Sequence, residues 1–262
     1  MIRKTKIIAT IGPSTAKKSV LRKIIQKGVN VCRLNFSHLS HEDAKTIISL
    51  IKTINQELNV HTAILADLQG PKIRVGEIET PISLKKGEEL TLSTKKQNKN
   101  HLFVSYKNFA RDITMGENVL IDDGKIKLKV LKSNGIDTVK TKVIVPNILS
   151  SNKGINLPNT NVSLPCLTKK DRKDLKFILN EKIEWVALSF VRKGQDLIDL
   201  RKILKRNKSK VGVIAKVEKP EAVKNIDEII TYSNAIMVAR GDLGVEIPAI
   251  RVPAIQKRIV RK

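Results

Sequence analysis

Only two of the 262 residues are cysteine, Cys32 and Cys166, and no C-x-x-C spacing joins them. That excludes a disulfide framework and a thiolate zinc set. Both read as small apolar side chains in a reducing compartment. Aromatics are as scarce: Phe, Trp and Tyr together make 3% of the chain, so the stacking platforms of a single-strand nucleic-acid binder are missing. No apolar run approaches the roughly eighteen residues that a membrane-spanning helix needs. The start, Met1-Ile2-Arg3-Lys4-Thr5-Lys6, leads straight into a strand-like run and carries no signal-peptide core with a small-residue cleavage site. These absences make a cytoplasmic protein the expectation. Acidic residues are also few, 25 against 50 basic ones, for a net charge of +25. A basic chain attracts phosphate backbones, yet 37 of the 50 are Lys, scattered, and only 13 are Arg. Arg forks are what a specific nucleic-acid reader uses. The charge therefore reads as a lean of composition toward Lys, Ile and Asn, and the segments 205–210 and 257–262 as solvated helix ends.

What is present is an apolar share of 41%, enough for a sizeable core. The first third alternates strands and helices. An apolar, β-branched run at 6–11 ends at Gly12-Pro13, and Ser14 can cap a helix whose Val20, Leu21, Ile24 and Ile25 keep helical spacing until Gly28 stops it. A second strand covers 29–36. Ser40 then caps a helix with Ala44, Ile47, Ile48, Ile51, Ile54 and Leu58 on one face and Asp43 in its first turn. A third strand, 62–67, ends at Asp67-Leu68-Gln69-Gly70-Pro71.

From about 73 to 164 the apolar period falls to two, as in Leu90 and Leu92, Val119 and Ile121, and Ile126, Leu128 and Val130, with Ile82 and Leu84 before them. Lys86-Gly87, Met115-Gly116, Asp123-Gly124 and Asn134-Gly135 supply turns. This predicts an all-β module inserted between two linkers, with Pro158 and Pro165 marking the return. After Thr168, a cap with Asp171 at the third position, the alternation resumes. Strands at 185–190, 211–217 and 235–240 alternate with amphipathic segments at 169–181, 195–206, 220–232 and 249–260. Apolar strands joined by crossover helices predict a parallel sheet. The fold class is α/β, an incomplete (β/α)8 barrel of six units: 1–72 holds strands one to three, 73–164 the inserted β module, and 165–262 strands four to six. A closed barrel needs eight. The expected cut leaves edge strands at 6–11 and 235–240 open to association.

In parallel α/β folds ligands gather at the C-terminal ends of strands. Strand two ends Arg33-Leu34-Asn35-Phe36-Ser37-His38. Strand three ends at Asp67, before Gln69-Gly70-Pro71-Lys72-Ile73-Arg74. Strand five ends Lys216-Val217-Glu218-Lys219-Pro220, and strand six Arg240-Gly241-Asp242-Leu243-Gly244. Two carboxylates on adjacent strands, Glu218 and Asp242, leave most of an octahedral Mg²⁺ shell to water and substrate oxygens. Lys216 beside them can cover the charge of a transferring phosphoryl group. The Gly241 turn exposes backbone N–H groups at a helix start, a seat for a carboxylate. Any one of these residues alone would read as a surface ion pair. As a set at successive strand ends they point to a metal-dependent barrel enzyme acting on an anionic phosphate ester. Other conspicuous residues read as structure. His38 and His41 lack further zinc ligands, Trp185 opens an apolar strand, and Asp122-Asp123-Gly124-Lys125 is turn chemistry.

Four strings go further. Ile8-Ala9-Thr10-Ile11-Gly12-Pro13-Ser14, Arg33-Leu34-Asn35-Phe36-Ser37-His38, Gly154-Ile155-Asn156-Leu157-Pro158 and Met237-Val238-Ala239-Arg240-Gly241-Asp242-Leu243-Gly244-Val245-Glu246 resemble the pyruvate kinase family. They stand in the family's order, and the likeness runs from residue 2 to the last. The resemblance implies phosphoryl transfer from phosphoenolpyruvate to ADP, giving pyruvate and ATP. It implies that Arg33 grips the substrate phosphate, that Lys216 stabilises the phosphoryl group in flight, and that Glu218 and Asp242 bind Mg²⁺ (or Mn²⁺). The backbone at Gly241 and Asp242 would hold the substrate carboxylate, and Arg74 and Lys170 would touch the nucleotide phosphates. The β module would be a lid over the nucleotide. Asn35, Ser37, Asp67 and the carbonyl of Leu68 line up with the family's monovalent-cation ligands. Leu68, Gln69 and Lys72, however, stand where many members have Thr, Lys and Glu. An ammonium from Lys72 could replace K⁺, so the chain resembles the subgroup that works without it. In the family, strands seven and eight add a threonine over the substrate and a proton relay, and a further domain carries the effector site and much of the homotetramer contact. None of these is in this sequence, so the normal tetramer is not expected, and turnover by this chain is in doubt. Two other readings stay open: a remnant binding nucleotide or Mg²⁺ without turnover, and a basic nucleic-acid-binding module.

Overall fold

A computed structural model describes residues 4–95 and 101–262. The expectations placed on Met1–Arg3, and on 96–100 of the β module, lie outside the described residues. In chain order the elements begin with β1 (Ile8–Ile11), α1 (Lys18–Gln26), β2 (Val31–Asn35), α2 (His41–Leu58) and β3 (Ala63–Asp67). The β-rich stretch follows: β4 (Ile73–Arg74), β5 (Ile82–Ser83), β6 (Glu89–Ser93), β7 (His101–Phe103), α3 (Phe109–Asp112), β8 (Asn118–Ile121), β9 (Ile126–Ser133), β10 (Thr138–Val145), β11 (Ile148–Leu149) and β12 (Gly154–Asn156). Then come α4 (Lys169–Asn180), β13 (Trp185–Leu188), α5 (Gly194–Arg206), β14 (Gly212–Val217), α6 (Pro220–Lys224), α7 (Ile226–Tyr232), β15 (Ala235–Val238), α8 (Arg240–Glu246), a 3₁₀ turn at Ala249–Arg251 and α9 (Val252–Arg261).

The chain divides into two compact units. One, the parallel unit, holds the residues up to Gly70 with Cys166–Val217 and Lys224–Met237. Its sheet runs β1-β2-β3-β13-β14-β15, strictly in chain order, with β1–β2, β2–β3, β3–β13 and β13–β14 parallel. Six strands in sequence with crossover helices are the build of a (β/α)8 barrel, so the fold class is the incomplete barrel expected. Alternation along the strands sets two faces. Val31, Leu65, Trp185, Ala187, Ile214, Ala235 and Met237 pack together on one of them. Cys32, one residue over from Val31, is buried on the other, and burial raises its thiol pKa to about 11. It is inert at neutral pH. Cys166 is buried too, and neither cysteine is in a disulfide.

Local chemistry accounts for the helix starts. The Ser40 side chain accepts from the Asp43 N–H, and Thr168 and Asp171 form a capping box, as the spacing predicts. The first helix corrects the reading. It begins at Lys18, behind an uncapped Lys17, because residues 12–15 are used in a turn closed by Thr15 rather than Ser14. Gly28, at φ +89°, ends it as expected. The predicted helix at 220–232 is two short ones, divided at Asn225. No helix among the described residues is long and apolar enough to cross a membrane.

The other, β-rich unit holds Pro71–Pro165, Glu218–Val223 and Val238–Lys262. A seven-stranded sheet, β4-β12-β8-β9-β10-β6-β7, is joined by the small pair β11-β5. All four predicted turn glycines, 87, 116, 124 and 135, have φ between +71° and +87°, the left-handed region that only glycine enters freely. Leu92, Val119, Ile121, Ile126, Leu128 and Val130 lie in one buried cluster, as their period predicts. Ile82 does not join it; it is exposed on the short β5.

Candidate active site

Period two carries the parallel unit's site. On the face that buries Val31, Leu65, Ala187 and Ile214, the next residue of each strand toward its C-terminal end is Arg33, Asp67, Ser189 or Lys216. An apolar layer thus gives way to a polar one at the end of the sheet. Asp67 is 1% exposed and sits between two cations. Arg33 donates to its Oδ2 from Nε at 2.8 Å and from a terminal nitrogen at 2.5 Å. The Lys216 ammonium lies 3.2 Å from Oδ1. Arg33 also donates to the Thr10 hydroxyl at the end of β1, at 2.9 Å. Lys216 donates to Ser189 Oγ at 2.8 Å, and Ser189 in turn donates to the Leu68 carbonyl at 2.7 Å. Asp67 thus holds both cations at the end of the sheet. Because the cations are held before any ligand arrives, they can take up a phosphate's charge with little reorganisation.

The corner behind Ser189 is tight. Gly70 has φ +70°, and a Cβ there would lie 2.7 Å from the Phe190 ring and 3.1 Å from Ser189 Cβ. Phe190 itself is held at φ +56°, a conformation that a bulky residue keeps only when its surroundings enforce it. Asp171 completes the corner. Besides its cap, it accepts from the Gly70 N–H at 3.1 Å.

The expected monovalent-cation ligands fall at the ends of β2 and β3, where Asn35 and Asp67 are register partners. The oxygens of Asn35, Asp67 and Leu68 are engaged within the unit: Asn35 Oδ1 accepts from the Ser37 N–H, Asp67 from Arg33, and the Leu68 carbonyl from Ser189. Lys170, expected at a nucleotide phosphate, donates to the Phe36 carbonyl at 2.5 Å and to Asp174 at 2.6 Å. His41 reaches the other Asp174 oxygen at 2.8 Å and stacks on Phe177. This knot fixes the turn after β2 that presents Asn35 and Ser37. Beside it lies a mostly apolar cleft of about 490 Å³, lined by residues that include Thr10, Pro13, Asn35, His38 and Leu39.

In the β-rich unit, Glu218 is 2% exposed, directly after β14, and Asp242 is in the first turn of α8. A Cβ on Gly241 would meet no atom within 4 Å, so packing does not explain that glycine. No group of three or more His, Cys, Asp or Glu side chains could hold a metal among the described residues. Two carboxylates are the sparse protein share that Mg²⁺ takes. Arg74 donates to the Asn152 carbonyl at 3.0 Å. Lys72 is in this unit as well, its Cε 3.6 Å from where a Gly154 Cβ would be. Asp122, in the 122–125 turn, is held below the usual carboxylate range by hydrogen bonds from Lys153 and then Lys125.

Ser189 and Thr10 are missing from the sequence-derived set. They end the fourth and first strands, and the same rule applied to those two ends would have found them.

The family model for the pyruvate kinase barrel domain matches residues 2–262. Pyruvate kinase 2 of Synechocystis is 43% identical over 267 residues, covering 98% of this chain and 45% of that protein. The pyruvate kinase of Clostridium perfringens is 43% identical over 270 residues, covering 100% and 56%. That of Staphylococcus epidermidis is 40% identical over 265 residues, covering 100% and 45%. The chain spans about half the length of the curated relatives it matches. The match to the family model over nearly every residue, together with cationic strand ends in the family's order, shows that this chain belongs to the pyruvate kinase family.

Proposed function

We propose that this chain supplies phosphate- and metal-binding groups for the pyruvate kinase reaction, in which the phosphoryl group of phosphoenolpyruvate passes to ADP. The P–O bond to the enol oxygen breaks, a bond to the terminal oxygen of ADP forms, and the enolate takes up a proton to become pyruvate. The observation that carries this reading is the Arg33–Asp67–Lys216 cluster, two cations held by the buried Asp67 carboxylate at the C-terminal end of a parallel sheet. Arg33 binds the substrate phosphate; its side chain is 25% exposed, so it can be reached. Lys216, held by Asp67 and Ser189, offsets the charge of the phosphoryl group as it transfers. Gly241 and Asp242 take the substrate carboxylate, and the open space beside Gly241 supports close approach.

Glu218 and Asp242 would hold Mg²⁺ or Mn²⁺, an ion that neutralises charge on the phosphate oxygens and orients them. Arg74 and Lys170 take the nucleotide phosphates, Lys170 by leaving Asp174. The cleft beside the β2 turn has the apolar lining and few polar groups of a ring-binding site, and suits the base of the nucleotide. Asn35, Ser37, Asp67 and Leu68 form a monovalent-cation site whose charge Lys72 replaces. The support for that last role is its place in the sequence, five residues past Asp67.

Binding of phosphoenolpyruvate to the purified chain, measured by calorimetry, tests the proposal. Arg33→Met and Lys216→Met should each weaken binding by about tenfold or more, the scale of a lost charge-assisted hydrogen bond. Binding by both variants at the strength of the parent chain would overturn it. Wherever turnover is measured, by coupling pyruvate to a dehydrogenase, it should persist when K⁺ is replaced by a bulky organic cation. A large loss there would remove Lys72 from its role.

A further inference from the structure

Glu246 is the last residue of α8, one helical turn after Asp242, and its side chain is 1% exposed. Its Oε1 accepts from the Lys219 ammonium and from Asn156 Nδ2, each at 2.8 Å. Lys219 is the residue after Glu218; it is buried and also donates to the Leu157 carbonyl at 3.4 Å. One carboxylate thus pins together three stretches distant in the chain: the end of β12, the 218–219 segment and α8. All three lie in the β-rich unit.

Stability alone does not call for this pin. Two buried charges must be stripped of water, and a well-packed apolar pair of similar volume usually holds a fold as well. The second oxygen, Oε2, is buried without a hydrogen-bond partner among the described residues, which adds to the cost. What the pin gives is placement. At seven residues α8 is too short to stand by itself, so tertiary contacts fix where its first turn points. Glu218 and Asp242 lie at the two places the pin joins, one residue from Lys219 and one turn from Glu246. Groups that hold metal ligands in position commonly govern metal affinity as strongly as some ligands do.

We infer that Glu246, through Lys219, is a positioning residue for a divalent-metal pair formed by Glu218 and Asp242. It fixes the segment that carries one carboxylate to the helix that carries the other. The inference rests on the metal-binding reading of those two residues.

Titration of the chain with Mn²⁺, following the free ion by electron paramagnetic resonance, tests both levels separately. Glu218→Gln and Asp242→Asn should each remove most of the binding. If neither does, the metal-binding reading fails and the inference with it. Glu246→Gln should weaken Mn²⁺ binding by about tenfold at a temperature where circular dichroism shows the variant folded. Affinity within twofold of the parent would overturn the inference while leaving the metal-binding reading intact. The double variant Lys219→Met/Glu246→Leu covers the case in which the single one fails to fold. It should regain the parent's melting temperature without regaining Mn²⁺ affinity. Recovery of both would show that the pin serves folding alone.

Discussion

The two units bury charge in different ways. In the parallel unit, charged residues stand on the same sheet face as the core: Arg33, Asp67 and Lys216 continue the rows that Val31, Leu65 and Ile214 begin. In the β-rich unit the large cluster from Ile73 to Val162 is almost wholly hydrocarbon. Charges of its turns, such as Asp122 with Lys125 and Lys153, sit at the surface, while Glu218 and the Lys219–Glu246 pair are buried. The parallel sheet gives up part of its apolar face at one end, whereas the β-rich sheet keeps its own almost whole. Each unit should therefore be weakest to a different kind of substitution.

The largest effect is expected at Asp67. Asp67→Asn removes a counter-charge shared by two held cations, and breaking a buried pair from one side costs about 3–5 kcal/mol. Denaturant unfolding should show the loss, and hydrogen exchange should place it in 31–67 and 185–217. A loss below about 1 kcal/mol would mean that Arg33 and Lys216 are well solvated, and the contrast between the units would fail. The matching probe of the β-rich unit is Leu128→Ala. Leu128 is fully buried, and its truncation should cost about 3 kcal/mol through lost transfer energy and the cavity left behind, with exchange rising in 118–145. Converting Leu128 to Met, close to it in volume, should cost less than about 1.5 kcal/mol. The analogous near-isosteric change at Asp67 has no such cheap form, since its function in the fold is its charge.

The same contrast explains what could be read from the sequence. Local signals were legible. Ser40 and Thr168 cap the helices they precede, four glycines turn where they should, and strand ends gather the charged set. Each depends on residues a few positions apart. Ser14 was misread because Thr15 closes the preceding turn and competes for the same chain. Less legible were contacts between distant segments. Period two puts Asp67 and Lys216 on the inner face of their strands, but not within 3.2 Å of each other. Nothing near Lys219 announces that Glu246, 27 residues on, will bury it. Nor does a lone Ser at position 189 announce a hydroxyl that both accepts from Lys216 and donates to Leu68.

The smallest effect sharpens the comparison through pH. In the β-rich unit the Tyr106 hydroxyl donates to Asp112, and Ser163 also bonds to both. Burial opposes the charge on Asp112, but the hydrogen bonds from Tyr106 and Ser163 outweigh it and hold the carboxyl below its ordinary value. Burial, then the neighbouring Asp112, raises the phenol above its own. The two shifts act at opposite ends of the pH scale. A carboxyl pKa lowered in the folded state gives stability that is present above the unfolded value, about 4, and lost as pH falls through the folded one. A phenol pKa raised in the folded state gives stability that is present below about 10 and lost as pH rises through the folded one. Unfolding measured from pH 2 to 11 should therefore show an acid limb and an alkaline limb in this unit's exchange-protected core. Tyr106→Phe should shrink the first and abolish this residue's share of the second, while Asp112→Asn should shrink both. An alkaline limb of unchanged depth in Tyr106→Phe would assign it to other groups and leave the buried pair without a role in setting the unit's pH range.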